Sequence, residues 1–239
     1  MCEQCLHSIQ LIAGAVCFIC GERLLTPYAA HDQRSELQCG LCNRAKPPFA
    51  QAVTYGSYEG ALRELIQLLK YQHIRPAAAV LGGMLSEAIS KLGCVADTCR
   101  MLVIPVPLHR RKLRERGFNH CELIAEAALK LEPGRRLSID TSVLKRRRET
   151  QSQTGLTRHQ RRENVRGAFL VEKPPVVAGR SALLVDDVFT TGTTVSECAR
   201  TLLRAGASKV FVATVARTLK VEAQTIQIIR NVRTMAAAG

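Results

Sequence analysis

Two adjacent carboxylates, Asp186 and Asp187, follow the apolar run Leu183-Leu184-Val185, and the chain continues Val188-Phe189-Thr190-Thr191-Gly192-Thr193-Thr194. This order of residue types describes a buried strand that delivers two acids into a hydroxyl-rich turn opening a helix. Backbone amides at a helix start, joined by threonine hydroxyls, form a cradle for a phosphate group. Gly192 lets the backbone approach such a ligand with no side chain between. Two carboxylates beside a phosphate repel it unless they face sugar hydroxyls or a magnesium ion. Together the parts describe a sugar phosphate held at both ends. The plain alternative is a helix cap, since Thr is a common N-cap and a strand-end Asp can cap a neighbour. The segment lacks the Gly-Lys pair of a triphosphate-binding loop and any G-x-G-x-x-G run, which disfavours triphosphate hydrolysis and dinucleotide binding.

The second group with chemistry in it is cysteine. Six of the ten cysteines fall in C-x2-C pairs: Cys2 and Cys5, Cys17 and Cys20, Cys39 and Cys42. A two-residue gap lets both thiolates of a turn point at one ion, and two such knuckles complete the tetrahedral sulfur shell that zinc prefers. Cys17, Cys20, Cys39 and Cys42 have the spacing of a zinc ribbon. Gly21 and Gly40, each directly after a cysteine, suit the positive backbone angles of such knuckles. Disulfides compete with this reading, but without an export signal the compartment is reducing and zinc is favoured. Cys2 and Cys5 lack a partner pair: they either complete a second zinc site with His7 or another group, or stay metal-free. Cys2 as an N-terminal nucleophile after loss of Met1 would need a domain of its own that does not follow it. Cys94, Cys99, Cys121 and Cys198 are scattered and read as ordinary buried residues.

These groups must be positioned by a folded chain, and 239 residues with 46% hydrophobic content suffice to bury a core. No run reaches the roughly 18 apolar residues of a spanning helix, so insertion in a membrane is not expected. The apolar decad from Leu11 to Cys20 has no Lys or Arg before it and is closed by cysteines, unlike a signal peptide. The expected location is cytoplasmic. The formal charge is +14, and residues 101–180 carry 18 Lys or Arg against 8 Asp or Glu. Such a block, with Arg110, Arg111, Lys112, Arg114, Arg116 and the run Lys145 to Arg148, attracts phosphate groups, although a single run can be merely a solvated face. Aromatic residues make up 4%, too few for a surface that holds bases chiefly by stacking.

Lys46-Pro47-Pro48-Phe49 reads as a boundary between a cysteine-rich module, 1–48, and a larger domain, 49–239. Leu62, Leu65, Ile66 and Leu69 recur at helical spacing and predict a helix over 61–71; a second is predicted over 77–92, and a third around Leu123, Ile124, Ala127 and Ala128. Apolar runs predict strands over 101–104, 182–185 and 210–215, with a helix over 194–205 between the last two. Strands alternating with helices imply an α/β fold with a parallel sheet covered on both faces. Ligands of such sheets gather beyond the strand C-termini, so the loops after Ile104 and Val185 are the ones to inspect. In the tail, 220–239, Ile226, Ile228 and Ile229 are compatible with a last helix or strand.

Leu184 to Thr194 resembles the phosphoribosyl pyrophosphate (PRPP) motif of type I phosphoribosyltransferases. The set formed by the cysteine knuckles, Pro47-Pro48-Phe49, Leu69-Lys70-Tyr71, Pro105-Val106-Pro107-Leu108, Arg114 to Asn119, Thr150 with Gln153, Arg161 with Asn164, and the acidic loop resembles the ComF family over nearly the whole chain. Members usually carry one more cysteine pair upstream, forming a double zinc ribbon; here the start reads as shortened. The resemblance implies a type I phosphoribosyltransferase-like parallel sheet flanked by helices, with a small N-terminal zinc-ribbon module. It implies that Asp186 and Asp187 hold the ribose hydroxyls and that Thr190, Thr191, Gly192, Thr193 and Thr194 enclose the 5-phosphate. Val106, Pro107 and Leu108 would lie near the pyrophosphate, with Arg114 and Arg116 as charge partners, and 148–162 would form a flap. Cleavage at ribose carbon 1 creates a cationic sugar and a departing pyrophosphate, so positive groups and magnesium lower the barrier and no protein nucleophile is needed.

Two functions follow. One is a magnesium-dependent transfer of phosphoribose to an acceptor. The other is a DNA-uptake accessory protein that keeps the pocket as a metabolite sensor and grips single-stranded DNA, or partners with DNA-uptake proteins, through its basic segment. A duplex-DNA regulator would need a helix-turn-helix signature, and none is present.

Overall fold

The computed structural model describes residues 2–12, 14–24, 37–92, 100–131, 137–150 and 157–219, with the backbone alone for Arg158. Helices α1 (Glu3–His7) and α2 (Gly40–Arg44) belong to the cysteine-rich start. Strand β1 (Gln51–Ser57) is followed by α3 (Gly60–Tyr71), α4 (Ala77–Ser90) and β2 (Met101–Pro105). Then come α5 (Arg110–Arg116), α6 (His120–Lys130), β3 (Leu137–Ile139), β4 (Leu144–Arg146), α7 (Arg158–Val165), β5 (Phe169–Val171) and α8 (Pro174–Val177). Strand β6 (Ser181–Phe189), helix α9 (Thr193–Arg204) and β7 (Lys209–Arg217) complete the described chain.

Five strands form one sheet in the order β1-β7-β6-β2-β3, every pair parallel. Strands β4 and β5 make a separate antiparallel pair. The chain moves from β2 to β3 through α6 toward one edge, and from β6 to β7 through α9 toward the other. Right-handed crossovers in opposite directions must lie on opposite faces. The core follows this rule. Val103, Leu183 and Val185 are buried with α3, α4 and α6, whereas Ile104, Leu184 and Val212 are buried with α9 and the cysteine module. Strand alternation thus splits each apolar run between two layers.

The crevice where strand order reverses lies between the C-terminal ends of β2 and β6, where ligands of such sheets bind. Leu62, Leu65, Ile66 and Leu69 of α3 are all buried, each contributing about 1.5–3 kcal/mol. The same burial aims the next residue of that helix, Lys70, at the end of β6. Among the described residues no helix is long and apolar enough to cross a membrane. The tail, 220–239, lies outside the described residues.

Candidate functional site

Strand β6 extends through both acids to Phe189, pairing with β7 as far as Arg217, so the apolar run up to Val185 marks only part of it. Adjacent strand residues face opposite ways. Asp187 shares the side of Leu183 and Val185 and is buried, 4% exposed. Its carboxylate forms an ion pair with Lys70 Nζ and lies 3.4 Å from His120 Nε2. Burial alone would raise the Asp187 pKa, but the Lys70 ammonium and the His120 ring outweigh it and hold this carboxyl well below its usual range. Burial works against the charge of Lys70, but the two aspartates raise its pKa overall.

Asp186 is half-buried beyond the last β2 pair. Its Oδ1 accepts the Asp187 amide at 3.0 Å and faces the Cys121 thiol at 3.5 Å. Burial, then the Asp187 charge, pushes its pKa up to about 7. The twin acids therefore differ: Asp187 is paired internally with Lys70, whereas burial and that first carboxylate oppose the charge of Asp186.

His120 enters the site because Asn119 caps α6, its side chain accepting the Cys121 amide. The same side chain donates to the Val106 carbonyl at 3.1 Å, while the Val106 amide donates to the Val185 carbonyl at 2.9 Å. These bonds carry the β2 ladder one residue past its end and fix Val106 and Pro107, both buried, beside β6; Leu108 is half-buried. Burial lowers the His120 pKa. A neutral ring that donates from Nε2 to Asp187 and accepts Arg116 at Nδ1, 2.8 Å away, satisfies both contacts. Arg116 also lies over the Tyr71 ring, 5.5 Å from its centroid. The structure thus joins Lys70, Asp187, His120, Arg116 and Tyr71 in one chain of contacts.

Arg116 reaches this cluster, whereas Arg114 is exposed on α5. Lys112, expected with the rest of the basic block to attract phosphate, is also exposed on α5. Burial, then the charges of Arg146 and Arg116, lowers its pKa, so cations crowd this side and an anion would relieve them. The run Lys145 to Arg148 is mostly engaged internally. Arg146 bonds the buried Thr150 hydroxyl and lies over Phe169. Arg147 donates to the Gly167 carbonyl, and Arg148 to the carbonyls of Asn164 and Arg166. Of the expected flap, 151–156, including Gln153, lies outside the described residues, and 158–165 is helix α7, started by a Thr157–Gln160 capping box.

The threonine turn opens α9. Gly192 takes φ +70° as N-cap, and no side chain caps the helix. A Cβ at Gly192 would lie 2.5 Å from the Phe189 ring, so backbone angle and space both demand glycine. Thr191 and Thr193 share a hydroxyl contact of 2.7 Å, and Thr190 is exposed. Thr194, half-buried, is the second residue of the helix. Amides at such a start, with Thr hydroxyls beside them, suit a dianionic phosphate.

The thiols of Cys17, Cys20, Cys39 and Cys42 lie within 4.8 Å of one another. Cys20 and Cys39 sulfurs are 3.7 Å apart, close to the edge of about 3.75 Å set by zinc–sulfur bonds of about 2.3 Å in a tetrahedron. The donor set fits zinc. Gly21 has the positive φ expected, +70°; Gly40 instead begins α2, with Cys39 as its N-cap. Cys2 and Cys5 are exposed at α1, and among the described residues no group of three or more ligand side chains includes them. Arg217 of β7, 2% exposed, ties this module to the sheet through the Cys20 carbonyl and Glu22 Oε2, the latter at 2.9 Å, and covers the Phe189 ring at 4.9 Å. Cys121 and Cys198 are buried as expected; Cys94 and Cys99 lie outside the described residues.

A parallel sheet of this kind, flanked by helices and ending in an acidic strand and a threonine turn, is that of a phosphoribosyltransferase-type domain, and the phosphoribosyl transferase domain family matches residues 122–234. The DNA utilization protein YhgH of Escherichia coli O157:H7 is 33% identical over 226 residues, covering 92% of this chain and 97% of that protein. Competence protein F of Haemophilus influenzae is 30% identical over 230 residues, covering 90% and 96%. Competence protein ComFC of Bacillus subtilis is 22% identical over 209 residues, covering 86% and 79%. The chain belongs to the ComF family.

Proposed function

We propose that this protein binds PRPP together with magnesium and transfers its phosphoribosyl group to an acceptor, in the service of DNA uptake or utilisation. The names of its relatives motivate the cellular role. The observation that carries the chemistry is the left-handed Gly192 opening an uncapped α9 directly after Asp186 and Asp187. In this reading Thr190 to Thr194 hold the 5-phosphate, and Asp186 serves the ribose hydroxyls or the magnesium that accompanies the pyrophosphate. Magnesium there would neutralise charge on the departing pyrophosphate. Its requirement for an oxygen donor fits Asp186, a carboxyl outside the Lys70–Asp187 pair, whose ionised form a cation would favour against burial and the Asp187 charge.

Lys112 and Arg116, beside the loop of Val106 to Leu108, favour the pyrophosphate as its charge grows. Transfer forms a bond from an acceptor lone pair to ribose carbon 1, breaks the bond from that carbon to the pyrophosphate oxygen, and releases the acceptor proton to water. Zinc held by Cys17, Cys20, Cys39 and Cys42 supports the module that Arg217 joins to β7. Calorimetric titration of the full chain with PRPP and magnesium tests the reading. Saturable binding, followed by pyrophosphate release on adding an acceptor panel, is the expected result; absence of binding overturns it.

A second reading, single-stranded DNA binding with the pocket as a sensor, draws on the exposed basic residues Arg110 and Arg114 of α5. It predicts DNA affinity that falls steeply with salt and weakens in Arg110→Ala/Arg114→Ala. A response independent of salt would dismiss it.

A further inference from the structure

Helix α6 starts with two side chains that fasten different things. Asn119, its N-cap, holds the Val106 carbonyl. His120, its first residue, is 4% exposed and stands between the acidic end of β6 and the last residue of α5. Its Nε2 lies 3.4 Å from Asp187 Oδ1, and its Nδ1 lies 2.8 Å from Arg116 Nη1. A carboxylate only accepts and a guanidinium only donates, so one form of the ring meets both contacts: neutral, with the proton on Nε2 and the lone pair on Nδ1. The other tautomer, like the imidazolium, would set an N–H against Arg116. Burial favours the neutral ring, and the Lys70 and Arg116 charges add to it against the pull of Asp187.

Arg116 gains a defined place from this ring. It ends α5, where Gly117 takes φ +75° and turns the chain. Its side chain is half-buried, whereas Arg110, Arg111, Lys112 and Arg114 of the same helix are exposed. Tyr71 also touches the guanidinium, but that residue is itself 69% exposed. Stacking on such a ring restrains the plane of the guanidinium and leaves its direction free; the bond to a buried imidazole sets the direction. A guanidinium carries five N–H donors, of which the ring takes one, and the rest suit paired phosphate oxygens. An arginine that is already held has given up its rotamer freedom on folding and does not lose it again when an anion arrives.

We propose that His120 is a positioning residue for the departing pyrophosphate: anchored on Asp187, its ring holds Arg116 beside the crevice, where the guanidinium meets the pyrophosphate without being reordered. The inference rests on the phosphoribosyl-transfer reading and adds to it a residue that touches no reacting atom. It also divides the ligand. The pyrophosphate is served through His120 and Arg116, and the 5-phosphate by the threonine turn.

Calorimetric titration of the zinc-loaded full chain with magnesium pyrophosphate, and separately with ribose 5-phosphate, tests this role. Ribose 5-phosphate calls on the threonine turn and reports an intact fold. His120→Leu removes both bonds of the ring, His120→Gln keeps one donor and one acceptor on a planar group, and Arg116→Met removes the guanidinium. His120→Leu should weaken pyrophosphate at least about tenfold and ribose 5-phosphate less than about twofold. His120→Gln should recover most of that loss, and His120→Leu should add nothing further to Arg116→Met. Should His120→Leu not fold, His120→Met, longer and more adaptable, takes its place with the same expectations. Unchanged pyrophosphate affinity, equal weakening of both ligands, no rescue by Gln, or a further loss in the Arg116→Met background overturns the positioning role and leaves the transfer reading standing. If the parent chain binds neither PRPP nor pyrophosphate, the transfer reading fails and this role fails with it.

Discussion

Lys70 of α3 and Asp187 of β6 form a buried ion pair that joins the helical layer to the strand end, and His120 of α6 completes the enclosure of the carboxylate. Removing one partner of such a pair leaves an uncompensated buried charge. Lys70→Met should therefore lower unfolding free energy by about 3–5 kcal/mol. The double variant Lys70→Met/Asp187→Asn should recover much of the loss, which urea denaturation of the four proteins of the cycle measures. Strict additivity of the two single effects would show that the pair is not coupled.

Asp186 sets a pH dependence of definite sign. Its folded pKa, pushed up to about 7 from 3.8 by burial and the Asp187 charge, lies above its unfolded value. The native state then binds more protons than the unfolded chain between these values, so this group's contribution falls as pH rises from about 4 through about 7. Asp187, depressed by Lys70 and His120 against its burial, acts oppositely and stabilises above its unfolded pKa. Asp186→Asn removes only the first effect. Its stability relative to the parent chain should increase between about pH 5 and pH 8, as denaturation at several pH values would show. If an ionised Asp186 serves the ligand, affinity for magnesium and PRPP should also rise across about pH 6–8 in the parent protein and stay flat in the Asn variant.

Gly192→Ala should disable the turn. A side chain at φ +70° costs about 1–2 kcal/mol, and the added carbon meets the Phe189 ring. The expected result is PRPP affinity reduced by more than about tenfold, with a melting temperature only a few degrees lower. Phe189→Leu combined with Gly192→Ala removes the ring contact but not the backbone strain, so binding should be restored only in part.

The cysteine cluster predicts a stoichiometry. Elemental analysis of the full chain should find one zinc, lost in Cys39→Ser and retained in Cys2→Ser/Cys5→Ser. Two zinc ions per chain, one of them dependent on Cys2 and Cys5, would instead establish a second site. Arg217→Met should destabilise by about 3–5 kcal/mol by leaving Glu22 buried without its cation.

Local sequence carried the parts that local physics governs. The cysteine knuckles, the helical spacing of Leu62 to Leu69 and the passage from apolar strand to threonine turn were all readable, because each depends on neighbours in the chain. The extent of β6 was not, since its apolar signal stops at Val185 while hydrogen bonding to β7 continues to Phe189. That extension makes Asp186 and Asp187 face opposite ways. Strand β3 has three residues, none of them buried, and so left no pattern to detect. Only tertiary packing decided that Lys70 neutralises Asp187, that His120 bridges it to Arg116, that Arg146 to Arg148 bind the protein itself, and that Arg217 joins the cysteine module to the sheet. Apart from the Arg116–His120 and Arg146–Thr150 bonds, each spanning four residues, those contacts connect residues far apart in the chain. Their energies depend on burial and mutual distance, quantities that no single segment specifies before the sheet brings its layers together.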